Sequence, residues 1–308
     1  MKPLNLLLLV AFVIGIVLCS HWLGQQAYGW LAPAASLEAE EVGHLFSFLV
    51  TLASIVFLGV VGMMLYSVLV YRASGGDRAD GPAIRGNVRI EITWTVIPVL
   101  LVIWIASYSF TIYQRMAILG SLPLTHLHLL PGQAAHAQAL DPRQPVPLQA
   151  HAQPIEVIAR QWNWTFRYPD QNVSSTELHL PINQRAHLLL TSEDVLHGFY
   201  VPNFRIKQDI VPNRTIELSF TPSREGTYRL QDSQFSGTYF ALMQADVVVE
   251  SAEAHGRWLQ DAARNTPGAR PDPATSEHTQ PRTPPLPMRS NWPTVRPAEP
   301  PLVHHQGS

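Results

Sequence analysis

The chain has 308 residues and a formal net charge of −2, from 21 Lys and Arg against 23 Asp and Glu. That balance gives no case for nucleic-acid binding, and the single cysteine, Cys19, excludes an intramolecular disulfide and any cysteine-based metal centre in the polar part of the molecule. The length allows about two domains, but the composition is uneven: the first third is strongly apolar, the middle is mixed, and the last fifty residues are rich in Pro and Arg.

Leu4 to Leu23 is an apolar run behind Lys2, long enough to be a membrane span or the core of a signal peptide. No small-x-small cleavage site directly follows it, and Ala32 to Ala35 offers only a late one, which favours an uncleaved anchor. Cys19 follows Leu18, which is not the small residue of a lipoprotein signal. His44 to Val70 and Ile92 to Tyr113 are two clear spans, each able to cross about 30 Å of hydrocarbon with no charge in its core. The loop between them carries Arg72, Arg78, Arg85 and Arg89, and positive residues at span ends mark the cytoplasmic side. Everything after Tyr113 is then expected on the opposite face, periplasmic or lumenal.

Gly120 to Gln153 has no sustained apolar period and reads as a linker, in which His126, His128, His136 and His151 lack a compact ligand spacing. From Ile155 to Glu250 short runs bounded by Pro, Gly and Asn predict strands at Ile155–Ala159, Glu177–Leu180, Ala186–Thr191, Thr215–Phe220, Gly226–Leu230 and Ala245–Glu250. Six or more strands in about a hundred residues predict an all-β sandwich or barrel. Ala254 to Ala263 predicts a short helix with Trp258 and Leu259 against the domain. From about Thr266, proline every few residues and little to bury predict disorder, with His304 and His305 a weak metal site on a floppy tail. The chain divides into an N-terminal apolar anchor or signal segment (1–35), a membrane α-helical hairpin (36–115), a Pro/Ala/His linker (116–153), a β domain (154–250), and a short helix followed by a disordered Pro-rich tail (251–308).

Four strings carry a family resemblance. Glu91-Ile-Thr-Trp-Thr-Val-Ile-Pro98 is similar to E-x-x-W-T-x-I-P. Arg160-Gln-Trp-Asn-Trp-Thr-Phe-Arg-Tyr-Pro169 is similar to Q-W-x-W-x-x-x-Y-P. Asp194-Val-Leu-His-Gly-Phe-Tyr-Val-Pro-Asn-Phe-Arg-Ile-Lys-Gln-Asp-Ile-Val-Pro212 is similar to D-V-x-H-x-F-x-V-P-x-x-x-x-K-x-D-x-x-P. Gly226 to Met243 is similar in length and glycine placement to G-x-Y-x-x-x-C-x-E-x-C-G-x-x-H-x-x-M. On these residues the chain, over roughly 36 to 250, resembles the subunit II family of haem-copper respiratory oxidases. The resemblance implies a two-helix hairpin clamped onto subunit I and a cupredoxin-like β domain on the outer face.

In the family the last string and a histidine upstream hold a two-copper electron-entry centre. Here only His197 and Met243 match its ligands. Asp232 and Ser236 fall where the bridging cysteines belong, Gln234 where the glutamate belongs, and Phe240 where the second histidine belongs. Copper in that redox range selects sulfur and imidazole, and oxygen donors and a phenyl ring do not replace them, so no metal is expected on this chain. A mononuclear site of His197, Asp232 and Met243 is the sharper alternative to a hydrogen-bonded His197 with Phe240 and Met243 filling the space. The neutral Gln234 also weakens the magnesium site that the family shares with subunit I.

By resemblance, Trp162 stands at the family's electron-entry position and Glu91 near the mouth of a proton-uptake path. The readings beside these are a packing indole for Trp162 and an interfacial carboxylate offset by Arg89 for Glu91. Cytochrome c docks on acidic surfaces; Asp209 matches one such acid, but Arg160, Arg167, Arg205 and Lys207 lie in the same strings. Loss of the copper pair fits a quinol oxidase, whose quinol delivers electrons directly to subunit I, the holder of haem and copper. Phe235-Ser-Gly237 resembles bacterial quinol oxidases, and His21 to Ala35 resembles cyanobacterial subunit II proteins, among them an alternative terminal oxidase that lacks the copper residues. The expected partners are subunits I and III, membrane lipid, and quinol through subunit I, with no nucleic acid. Cytochrome c oxidase subunit 2 proper and a membrane-tethered cupredoxin-like binding or assembly protein are the alternatives.

Overall fold

Long uncharged runs can satisfy every backbone polar group internally only as helices when they lie in lipid, and the three long apolar runs of the N-terminal part are helical. The computed structural model describes residues 3–72, 86–116, 154–270, 272–279 and 295–305. Helix α1 spans Pro3–Ala27, α2 Leu37–Val70 and α3 Val88–Met116. All three are long and apolar enough to cross a membrane, so the N-terminal segment adds a third candidate span to the hairpin. Close packing of α1 on α2 depends on Gly24: a Cβ there would meet the Ser47 carbonyl oxygen at 2.9 Å, and Ser47 Oγ donates to the Gly24 carbonyl at 2.8 Å. Phe48 joins α2 to α3 edge-on, 5.1 Å from Trp104 and 4.8 Å from Tyr108. Asn87 caps α3 by accepting from the Arg89 amide at 3.1 Å, and Glu91 lies in the first turn, the end where the helix dipole favours a carboxylate. Pro98 lies inside α3. The linker histidines, and the loop arginines Arg78 and Arg85, fall outside the described residues.

The chain forms two compact units, the helices and a second unit of residues 34–39 with 117–308. The second is a sandwich of two five-stranded sheets. Its strands are β1 (Ile155–Arg160), β2 (Asn163–Tyr168), β3 (Val173–Ser175), β4 (Leu178–Pro181), β5 (Ala186–Ser192), β6 (His197–Val201), β7 (Ile206–Ile210), β8 (Ile216–Phe220), β9 (Gly226–Asp232) and β10 (Gln244–Glu250). One sheet has the order β3-β2-β1-β5-β8 and the other β4-β10-β9-β6-β7, with β1 parallel to β5 and β4 parallel to β10. Strand β5 shows how sequence makes the layer: Ala186, Leu188 and Leu190 alternate inward while His187, Leu189 and Thr191 turn away. Trp164, Phe166, Phe199, Phe204, Phe220 and Leu230 fill the core with them.

Residues 34–39 are tied to this unit: Ser36 bridges Pro222, and Glu38 accepts from the Thr221 amide at 3.0 Å and pairs with Arg185 at 3.4 Å. Helix α4 (Ala252–Ala263) begins two residues before the expected start because Ser251 Oγ caps it, accepting from the Ala254 amide at 3.2 Å.

The expectation of a disordered tail is corrected for its described part. Strand β11 (Gly268–Ala269) pairs with β12 (Leu302–Val303), α5 spans Pro273–Thr279, and the His304 amide donates to the Ser174 carbonyl at 2.8 Å. The physical reason is that the tail docks on the edge strand β3, whose open backbone groups it satisfies. Proline content does not prevent docking of this kind.

Candidate functional site

The loop from Ser233 to Met243 connects β9 to β10 and lies over the start of β6. Pairing of Phe199 with Asp232 and of Gln244 with Gln231 sets both ends, and the Asp232 amide closes the loop by donating to the Met243 carbonyl at 3.1 Å. Gly198 in β6 is required there, because a Cβ would run into Ser233 Oγ and meet the Gln234 amide nitrogen at 3.2 Å. Loop and strand thereby bring His197, Asp232, Gln234 and Ser236 together.

Asp232 is the hub. Its Oδ1 accepts from the Gly198 amide at 2.8 Å and the Gln234 amide at 3.0 Å; its Oδ2 accepts from Ser236 Oγ at 2.7 Å and lies 2.8 Å from His197 Nδ1. The other ring nitrogen, His197 Nε2, is 2.9 Å from Asp194 Oδ1. The side chains of His197 and Asp232 are wholly removed from solvent, and that of Asp194 is 28% exposed. A neutral imidazole has one N–H, so two carboxylate partners require the doubly protonated ring. Burial by itself pushes His197 down, but its hydrogen bonds to Asp194 and Asp232 outweigh burial and hold its pKa above the ordinary value. Burial likewise pushes Asp194 up, and hydrogen bonds from His197 and from the amides of Val195 and Gln161 outweigh it, leaving Asp194 below the usual carboxylate range. The result is a buried Asp–His–Asp ion cluster.

The remaining predicted residues of the β domain lie immediately before β2 and on the same loop. Gln234 turns away and donates from Nε2 to Asp209 Oδ1 at 2.8 Å. Phe240 packs edge-on against Phe235 at 5.1 Å, and Met243 is buried in the core. Trp162 is buried, donates from Nε1 to the Ser236 carbonyl at 3.3 Å and meets Tyr239 edge-on at 5.0 Å. Gln161 Nε2 shares that carbonyl at 2.6 Å. The tight fit of Trp162 depends on Gly237, at φ +123°, where a Cβ would come within 2.8 Å of the indole. Glu91 belongs to the helical unit and is exposed.

Asp194 and Gln161, both inside the matched strings, were not singled out from the sequence. The spacing Asp194-x-x-His197, which puts a carboxylate beside the histidine, was the available signal for the first. Among the described residues, the group with ligand-like spacing is Glu177, His179 and His305, outside this loop.

The family models for the cytochrome c oxidase subunit II transmembrane domain and periplasmic domain match residues 20–112 and 173–252. The chain is 32% identical over 278 residues to the cytochrome c oxidase subunit 2 of Synechocystis sp., covering 84% of this chain and 82% of that protein. To the cytochrome c oxidase subunit 2 of Thermostichus vulcanus it is 33% identical over 280 residues, covering 83% and 85%. Among solved structures, the periplasmic domain of subunit II of cytochrome oxidase from Bradyrhizobium japonicum is 25% identical, covering 36% of this chain and 93% of that one, with a TM-score of 0.34.

Proposed function

The chain belongs to the cytochrome c oxidase subunit II family, and from that premise we propose that it is a subunit II without the two-copper centre, in a terminal oxidase that reduces oxygen to water with quinol as donor. It is an integral membrane subunit of an oxidoreductase complex, with its C-terminal domain outside. The observation that carries the proposal is the Asp232 hub. Two copper ions ask this position for a bridging thiolate. The carboxylate there instead accepts from two amides and a hydroxyl and pairs with His197, whose second nitrogen is taken by Asp194. This donor set does not fit the copper pair. Breaking the ion cluster to free His197 would strand buried charge, and Ser236 and Phe240 supply no soft donor in exchange.

Without the copper pair, an electron arriving at Trp162 has no acceptor on this chain. Trp162 then serves as a packing anchor for the loop, and haem and copper reside in subunit I, which takes electrons from a membrane-dissolved quinol. Subunits I and III are the partners, and the copper-less alternative oxidase of cyanobacteria is a functional type of this kind. Glu91 is proposed to stand at the mouth of the proton path into subunit I. A Glu91→Gln variant should lower oxygen turnover by about tenfold or more without changing donor preference, and unchanged turnover would return Glu91 to an interfacial role.

Donor competition tests the main proposal. The purified complex should consume oxygen with a soluble quinol and not with reduced cytochrome c. A second reading, cytochrome c as donor, is favoured by the names its relatives carry; oxygen uptake driven by reduced cytochrome c at a rate comparable to quinol would establish it.

A further inference from the structure

At the far end of β10 from the copper-position loop, a second group of histidines and carboxylates assembles from three parts of the chain. Glu177, immediately before β4, and His179, within it, meet at 3.3 Å on one side of the strand while Leu178 and Leu180 enter the core. That polar face is covered: Trp258 of α4 stacks on the His179 ring with centroids 3.8 Å apart and planes 9° apart, and the tail brings in His305. Glu177 and His179 are therefore buried and His305 is half-buried although all three are charged or chargeable, an arrangement that costs free energy unless the groups are paired or hold a metal.

Their geometry is that of a ligand set. His179 Nε2 and His305 Nε2 converge on the same atom, Glu177 Oε2, each at 3.3 Å, and the three atoms lie within 4.8 Å of one another. A distance of 3.3 Å lies beyond the usual range of about 2.7–2.9 Å for a charge-assisted N–H···O bond. For these two edges of the triangle it matches the edge of a tetrahedron, about 3.3–3.4 Å, built on zinc bonds of about 2.0–2.1 Å. The opposite nitrogen of the first histidine, His179 Nδ1, is held by Glu250 Oε1 at 3.0 Å. A carboxylate orienting the far nitrogen of a ligating imidazole is the supporting arrangement found around such metals. His305 is fixed by its backbone: its amide donates to the Ser174 carbonyl at 3.2 Å, and it bridges Ser175 in parallel register.

We propose that Glu177, His179 and His305 form a zinc-type site, with Glu250 positioning His179 and one coordination position left for water or another ligand. Two imidazoles and a carboxylate suit zinc, and the set holds no thiolate or thioether of the kind that selects cuprous copper. Because one ligand comes from β4 and another from residue 305, bound metal ties the C-terminal segment to the β domain. The proposal is independent of the electron donor.

The test is titration of the full-length chain, in detergent and stripped of metal, with Zn2+, and with Co2+ as an optical probe of coordination. The expected result is one equivalent of Zn2+, tetrahedral Co2+ bands displaced by Zn2+, and protection of the tail from proteolysis. The His305→Ala variant should lose the stoichiometric site, and Glu250→Gln should weaken binding about 10–100-fold. His197→Gln should leave binding unchanged, which separates this site from the loop cluster. Should His179→Gln fail to fold, His305→Ala decides, since its residue lies on the docked tail. Absence of an equivalent of bound Zn2+, or binding undiminished in His305→Ala, overturns the proposal.

Discussion

The β domain holds two clusters of the same ingredients, histidine with carboxylates, at opposite ends of β10, and they differ in where the imidazole nitrogens point. At the loop end both nitrogens of His197 face carboxylates at 2.8 and 2.9 Å, with no donor atom left over. At the other end His179 gives one nitrogen to Glu250 and turns the other toward a carboxylate oxygen that a second histidine also approaches. Residue type does not separate a closed ion cluster from a ligand set; distance and convergence do, since His197 is held at 2.8 and 2.9 Å while His179 and His305 both approach one carboxylate oxygen at 3.3 Å. The loop that aligns with a metal centre is the one whose donors are used up, and the docked tail completes the set that remains open.

Breaking the closed cluster should have the largest effect. Asp232→Ala leaves the His197 cation buried beside one carboxylate and strands two amides, and should cost about 3–5 kcal/mol of β-domain stability, read by denaturant unfolding of the full chain. The pH dependence of the same cluster has a definite sign. His197 has its folded pKa raised, so its contribution is full below its unfolded value of about 6.5 and is lost as pH rises through the folded value. Asp194 has its folded pKa lowered, so its contribution is present above about 3.9 and is lost as pH falls through the folded value. The stability difference between the wild type and His197→Gln should therefore be greatest between about pH 4 and 6.5 and shrink on the alkaline side; a difference that grew with pH would break the ion-cluster reading.

A smaller loss, about 1–3 kcal/mol, is expected for Gly237→Ala, which combines a positive φ with a clash against Trp162, and tryptophan emission reports it directly. Glu250→Gln, at the open cluster, removes one charged partner and should cost about 1 kcal/mol in metal-free protein while its effect on Zn2+ affinity is much larger. Arg160→Ala breaks only an exposed pair with Glu193 at 2.9 Å, whose side chains are 40% and 50% exposed, and should change stability by less than about 0.5 kcal/mol.

The sequence made some of this legible and hid the rest for physical reasons. Uncharged runs announce α1, α2 and α3, and the strict alternation of Ala186 to Ser192 announces β5. Strand β2 does not alternate, because Asn163 to Phe166 are buried on both sides of the strand, so it read as an aromatic string and not as a strand. Strands β6 and β7 are short and lie inside a motif string, which drew attention to their residues and away from their backbone. His305 reads as a stray residue because its partner Glu177 is 128 positions away, and no local pattern encodes a contact at that range. Asp194 was legible in spacing but not in consequence: that it faces His197 Nε2 follows from the bend into β6.

The most direct measurement of the central claim is copper loading of the full-length chain in detergent, in the His305→Ala background so that metal held by the tail site is not counted, followed by metal analysis and paramagnetic resonance. No stoichiometric copper and no mixed-valence signal is the expected result, because Asp232 and His197 are committed to each other and to their neighbours. Two coppers per chain with a mixed-valence signal would contradict it and place the chain among the subunits that take electrons from cytochrome c.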